Sequence, residues 1–268
     1  MKSKILLIGI DGLILATALN SGRAPTLSTL RGNCSFTQME MALPTVSGPG
    51  WATLLTGSTI AEHGVLDNDF VGHTLNSRPD FLTQAFLQDG ESVTFAAAGW
   101  PPLIDPDGIG PVIRSRSLAT GSGAHQGIAR DGESYGYLKV DSEVADLSVQ
   151  AIAEVGPDLS FIYFCGADEA AHLYGVLGKE YLDAINRIDD HLARLLAAVK
   201  IRSELGERWL VVITTDHGHV DEGGHGEDSP QERASFVIAS GVGRANPEWP
   251  AEFSPETLTP LLLDERAE

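Results

Sequence analysis

The sequence predicts an α/β layered fold on a mostly parallel central sheet, and three observations carry that prediction. Apolar runs of strand length recur at residues 5–10, 93–97, 159–164 and 209–214. Continuous rather than alternating apolarity suits strands covered on both faces, as in a parallel sheet. Stretches with helical spacing lie between the runs, so strand and helix alternate. Finally, four short clusters of acids, imidazoles and a hydroxyl stand where loops after strands would be, the default site in such a fold. They are Asp11 in LLIGIDG, Ser47 in LPTVSGPGWATLLTG, Asp168 and His172 in FIYFCGADEAAH, and Asp216, His217 and His225 in VVITTDHGHVDEGGHG.

In chain order, the start MKSKILLIGID is basic and then apolar, but Asp11 arrives before a proper h-region and no small-residue cleavage site follows. It reads as the first strand rather than a signal peptide. A helix is predicted over 25–30, opened by Pro25 near its first position. Another over 51–55 follows a Gly-Pro-Gly entry, and residues 81–87 and 144–154 also have helical spacing. The stretch 100–137 is rich in Gly, Pro and Ser and reads as a surface excursion or a lid. Its Arg114, Arg116, His125 and Arg130 are the main local supply of cationic or titratable groups for substrate contact. Residues 179–200 place Leu182, Ile185, Ile188, Leu192, Leu195 and Leu196 on one apolar stripe of a long helix.

The 268 residues, 43% of them hydrophobic, can bury a core as one domain spanning 1–268. A net charge of −19, with 18 scattered Lys and Arg, argues against a nucleic-acid polymer as partner. A small anionic substrate stays open, because bound cations can invert the local field. Cys34 and Cys165 form no paired motif and read as buried free thiols in a reducing compartment. No apolar run approaches the ~18 residues of a transmembrane helix. The expectation is a soluble, cytoplasmic protein without a membrane partner; nothing fixes its oligomeric state.

The clusters differ in strength. Asp11 alone could simply cap the following helix. Asp168 and His172 are spaced i, i+4, so on a helix both would grip one cation. Asp216 and His217 after an apolar strand, followed by a Gly-rich loop with His219 and His225, form the stronger signal. His219 reads either as a group behind the ligands or as a direct contact. His63, His73, His125 and His191 have no partner pattern and read as structural or exposed. Ser47 lies just before a predicted helix, where backbone amides and Gly48 and Gly50 would let a phosphate approach. A metal could activate its hydroxyl, but Thr45 is a rival that chemistry alone does not separate.

The run I-D-G, P-T-V-S-G-P-G-W-A-T-L-L-T-G, H-G-V-L-D-N, G-A-D-E-A-A-H-L-Y-G, D-H-G and G-G-H-G resembles the alkaline phosphatase superfamily, most closely its nucleotide pyrophosphatase/phosphodiesterase branch. The resemblance spans Asp11 to His225. It implies a three-layer α/β sandwich with a mostly parallel sheet and a two-metal hydrolase of phosphodiesters or phosphoanhydrides. By that resemblance Ser47 is the nucleophile, where the branch commonly has Thr, and forms a covalent phosphoseryl intermediate. Asp11, Asp216 and His217 would hold the metal that binds Ser47, and Asp168, His172 and His225 the second. Asn68, 21 residues after Ser47, matches the asparagine that donates to a phosphoryl oxygen. Mixed N/O ligation points to zinc, with manganese second.

Three departures shape the expectation. His217 and His225 lie eight positions apart, so the branch's capping insertion is missing and its nucleotide-recognising residues have no evident counterpart. S-G-P-G-W superficially resembles a sulfatase signature, but Trp51 stands where that signature has arginine. No Arg or Lys lies close to Ser47 in sequence, which favours diesters over monoesters. The alternatives are a phosphomonoesterase, a phosphonate hydrolase resembling phosphonoacetate hydrolase, and, further off, a sulfatase, a phosphomutase or a non-catalytic metal-binding scaffold.

Overall fold

The computed structural model describes residues 2–114 and 123–267. Seven strands form one sheet: β1 (Lys4–Ile10), β2 (Ser35–Glu40), β3 (Thr94–Ala98), β4 (His125–Ala129), β5 (Leu159–Phe164), β6 (Trp209–Thr214) and β7 (Ala234–Val242). Their order is β2-β7-β6-β1-β5-β3-β4. Only β7 runs against the others, pairing antiparallel with β2 and β6 while the remaining pairs are parallel.

Alternate residues of each central strand enter two separate cores, which makes the sheet the middle of three layers. Along β1, Ile5 and Leu7 pack with Trp51, Leu55, Phe81 and Leu262 on one face. Leu6, Ile8 and Ile10 pack with Val144, Ile185 and Leu192 on the other. The helices Ser47–Thr56, Phe81–Gln88 and Leu258–Ala267 cover the first face; Pro25–Arg31, Tyr137–Glu154 and Lys179–Glu204 cover the second. This is the α/β sandwich that the sequence predicts.

All four apolar runs are strands, within a residue of their predicted bounds. Three other strands carry weaker signals. β2 (SFTQME) is a polar edge strand, β4 (HQGIA) hides in the Gly-rich stretch, and β7 (ASFVIASGV) carries small residues. The stretch 100–137 therefore includes an edge strand of the sheet, and not only a loop. The helix expected over 144–154 begins at Tyr137, and the one expected over 51–55 begins at Ser47 itself.

The topology places the site. β6, β1 and β5 are adjacent and parallel, with Gly9 opposite Thr214 and Ile10 opposite Phe164. Asp11, the Gly166–Tyr174 helix and Asp216 therefore leave the sheet at one level.

Candidate active site

The carboxyl ends of β1 and β6 bring Asp11, Asp216 and His217 together, with ligand atoms within 4.8 Å of one another. Asp11 Oδ2 accepts from Tyr163 Oη at 2.5 Å and Trp51 Nε1 at 2.9 Å. Its Oδ1 is left 3.3 Å from His217 Nε2. The carbonyl of Gly218, 3.1 Å from His217 Nδ1, can only accept, so the ring proton sits on Nδ1 and Nε2 presents a bare lone pair. That nitrogen is 3.3 Å from Asp216 Oδ2 and 3.2 Å from Ser47 Oγ. Asp11 does not cap the next helix: Ile14 holds the N-cap of Leu15–Asn20, with no side-chain cap.

Ser47 is the first residue of a helix whose ten residues are all buried. The helix can press on the β6 loop because position 50 is glycine; a Cβ there would lie 3.0 Å from Asp216 Cβ. Asn68 Oδ1 accepts the Gly48 N–H at 2.7 Å, which orients the amide so that Nδ2 is the end left to donate. Ser47 and Asn68 line a cavity of about 360 Å³ with Asp168, His172 and His225.

The second group is Asp168, His172 and His225. Asp168 and His172 do sit on one helix, Gly166–Tyr174, with His172 Nε2 3.4 Å from Asp168 Oδ1. His225 Nε2 is 2.9 Å from His172 Nε2 and 3.6 Å from Asp168 Oδ1. The Thr45 carbonyl accepts from His225 Nδ1 at 2.7 Å, which again leaves Nε2 bare. The Thr45 hydroxyl donates to Glu227 O at 3.0 Å and accepts from Gly226 N at 2.9 Å. Thr45 thus holds the His225 loop, whereas Ser47 faces the acid-imidazole cluster.

Burial and mutual charge set the electrostatics of the clustered acids and imidazoles. Burial, with the Asp168 charge added, pushes Asp11 up to about 7. Burial and the charges of Asp11 and Asp168 drive Asp216 well above the carboxylate range. Burial holds His217 well below the usual imidazole range, with His225 adding to the effect. For Asp168 burial acts upward, yet His172, His219 and His217 outweigh it and hold the carboxyl low. Asp11 Oδ1, Asp168 Oδ1 and both Asp216 carboxylate oxygens are buried without a hydrogen-bond partner. Such orphaned anionic atoms are costly unless a cation takes them up. Carboxylate oxygens with bare imidazole nitrogens are a fitting donor set for divalent zinc or manganese.

The structure thus brings Asp11, Ser47, Asn68, Asp168, His172, Asp216, His217 and His225 to one place. His219 is there too, buried, and forms a third group with Asp168 and His217. The sequence reading passed over Trp51 and Tyr163 as the pair that orients Asp11. They lie in the SGPGW and FIYF segments, and their N–H and O–H needed buried partners. Glu133, Glu169, Trp100 and Tyr137, also overlooked, wall the cavity.

Two titratable groups of the 100–137 stretch, His125 and Arg130, serve elsewhere. His125 is buried with Nδ1 2.8 Å from Thr94 Oγ1, and Arg130 pairs with Glu143 at 3.2 Å. Arg114 is not among the described residues lining the cavity, and Arg116 lies outside those described. His63 and His191 are buried, in line with a structural role.

The profile of a family described as type I phosphodiesterase/nucleotide pyrophosphatase matches residues 5–233. Human ectonucleotide pyrophosphatase/phosphodiesterase family member 7 is 25% identical over 227 residues, 81% of this chain and 48% of that protein. The chain spans about half or less of the length of the curated relatives it matches. Among solved structures, murine ectonucleotide pyrophosphatase/phosphodiesterase 5, inactive and in complex with AMP, superposes with a TM-score of 0.65 at 15% identity, covering 98% of this chain and 95% of that one. Phosphonoacetate hydrolase from Sinorhizobium meliloti 1021, in complex with phosphonoformate, gives 0.60 at 18% identity, covering 81% and 56%. These structural likenesses speak for the fold.

Proposed function

The chain belongs to the type I phosphodiesterase/nucleotide pyrophosphatase family, and we propose that it hydrolyses a small phosphodiester or phosphoanhydride through Ser47. One observation carries the reading: Ser47 Oγ lies 3.2 Å from the bare Nε2 of His217, beside the orphaned Oδ1 of Asp11 and the two orphaned carboxylate oxygens of Asp216. Two divalent cations, zinc before manganese, would supply the positive charge that favours the serine alkoxide and stabilises the entering and leaving oxygens.

This chain's own residues do the rest. Asp11, Asp216 and His217 would hold one cation, and Asp168, His172 and His225 the other. Trp51 and Tyr163 tie Asp11 Oδ2 so that only Oδ1 faces the site. Ser47 Oγ attacks phosphorus in line, the ester oxygen leaves, and water then displaces the serine from the phosphoserine. Asn68 Nδ2 donates to a non-bridging oxygen whose charge grows in the transition state. The complexes of the relatives with AMP and phosphonoformate support a small phosphorylated or phosphonylated ligand.

The test compares kcat/KM for bis-p-nitrophenyl phosphate and p-nitrophenyl phosphate with zinc-loaded protein. A diester preference is expected. A monoester preference would hand the site to a phosphatase, and cleavage of phosphonoacetate alone would favour the phosphonate reading.

A further inference from the structure

We propose that His219 ligates no metal and instead donates its Nε2–H to Asp168, fixing the carboxylate that the second cation needs. The inference rests on the two-metal reading above.

The tautomer separates donor from ligand. Gly224 N–H donates to His219 Nδ1 at 3.1 Å, so the ring proton sits on Nε2. A nitrogen that carries a proton has no lone pair to give a cation. His217 and His225 are the reverse case: carbonyls face their Nδ1 atoms and leave Nε2 bare. The third acid-imidazole group, Asp168 with His217 and His219, therefore has one member of the wrong tautomer for ligation.

Position gives His219 its partner. Its Nε2 lies 3.0 Å from Asp168 Oδ1, and both atoms are buried without a hydrogen-bond partner. The ring packs edge-on against His172, His217 and His225 at centroid separations of 5.2, 5.5 and 5.1 Å. It thus touches every imidazole of the two ligand groups.

A separate feature of the fold reserves this place. Gly12, with φ +61°, follows Asp11, and a Cβ there would lie 2.4 Å from His219 Nε2 and 3.0 Å from Asp168 Oδ1. The glycine of I-D-G keeps the space in which imidazole and carboxylate meet. Outer hydrogen bonds of this type set ligand orientation, and their loss typically weakens metal binding by ~10–100-fold.

The full chain, stripped of metal, is titrated with zinc against a chromophoric chelator as wild type, His219→Leu and His219→Gln. All three are expected to bind two zinc ions per chain. His219→Leu, of similar volume but without a donor, should bind one of them ~10–100-fold more weakly. His219→Gln, which keeps an N–H, should recover most of that loss. Unchanged affinity in His219→Leu, or outright loss of one zinc as for a removed ligand, would overturn the proposal. So would a glutamine variant as weak as the leucine one. Should the leucine variant not fold, ¹⁵N NMR of the zinc-loaded wild type decides: a proton on His219 Nε2 upholds the donor role, and zinc on that nitrogen refutes it. Fewer than two zinc ions in the wild type would instead bring down the two-metal reading itself.

Discussion

The two halves of the site are built on opposite terms. Asp11, Asp216 and His217 have fully buried side chains, whereas His172 is 46% exposed and Asp168 13%. The inner half is locked from behind by Trp51, Tyr163 and a backbone carbonyl. In the outer half, the Thr45 carbonyl and the short His225 loop hold one imidazole, and His172 projects from a helix into solvent. Yet the halves touch, because the rings of His217 and His225 stack at 3.7 Å. The contrast teaches that burial would set how much each half depends on a bound cation. Stripped of it, the inner half offsets its buried acids by taking up protons, since burial raises Asp11 to about 7 and Asp216 well above the carboxylate range. Solvent can screen much of the charge in the outer half.

The strongest way to break this comparison is Asp216→Asn. If the inner half activates Ser47, kcat/KM on a diester falls by ~10³-fold, the scale of losing a principal electrostatic stabiliser. A loss of less than tenfold would mean that the inner half is not where the reaction is driven. His225→Ala probes the other half and should release about one metal per chain, measured by plasma mass spectrometry. Unchanged metal content would remove His225 from the ligand set. A chelator time course sharpens the contrast further. Metal should leave in two phases, the fast one from the outer half with loss of turnover and the slow one with a fall in Tm. Single-phase release would show that the difference in burial has no functional consequence.

Much of this was legible in the residues because the chemistry demands both residue type and place. Asp216 and His217 follow an apolar strand, and Asp168 and His172 keep helical spacing on a helix that exists. The hydroxyl was harder. Thr45 and Ser47 look alike in sequence, and only the fold shows Thr45 committed to Glu227 and Gly226. The edge strands β2 and β4 were missed because half-solvated strands need no continuous apolar run. Tyr163 escaped notice because its side chain reads as core within FIYF until its hydroxyl meets Asp11, across 152 positions of chain.

The smallest expected effect lies outside both halves and serves as their control. His63 is buried, with Val65 N–H donating to its Nδ1 at 3.1 Å and Thr53 Oγ1 3.0 Å from Nε2. Burial lowers its pKa from 6.5 to about 4. The unfolded chain therefore binds a proton first, and stability present above pH 6.5 is lost as pH falls toward 4. Urea unfolding should show His63→Gln with a flatter profile across that window and unchanged metal content. An unaltered profile would assign the acid sensitivity to the metal-binding halves instead.

The most direct test of the central claim is the hydrolysis rate of bis-p-nitrophenyl phosphate by zinc-loaded Ser47→Ala. The account predicts no detectable turnover, with two zinc ions still bound. Appreciable residual turnover in that variant would contradict it and pass the attack from Ser47 to water.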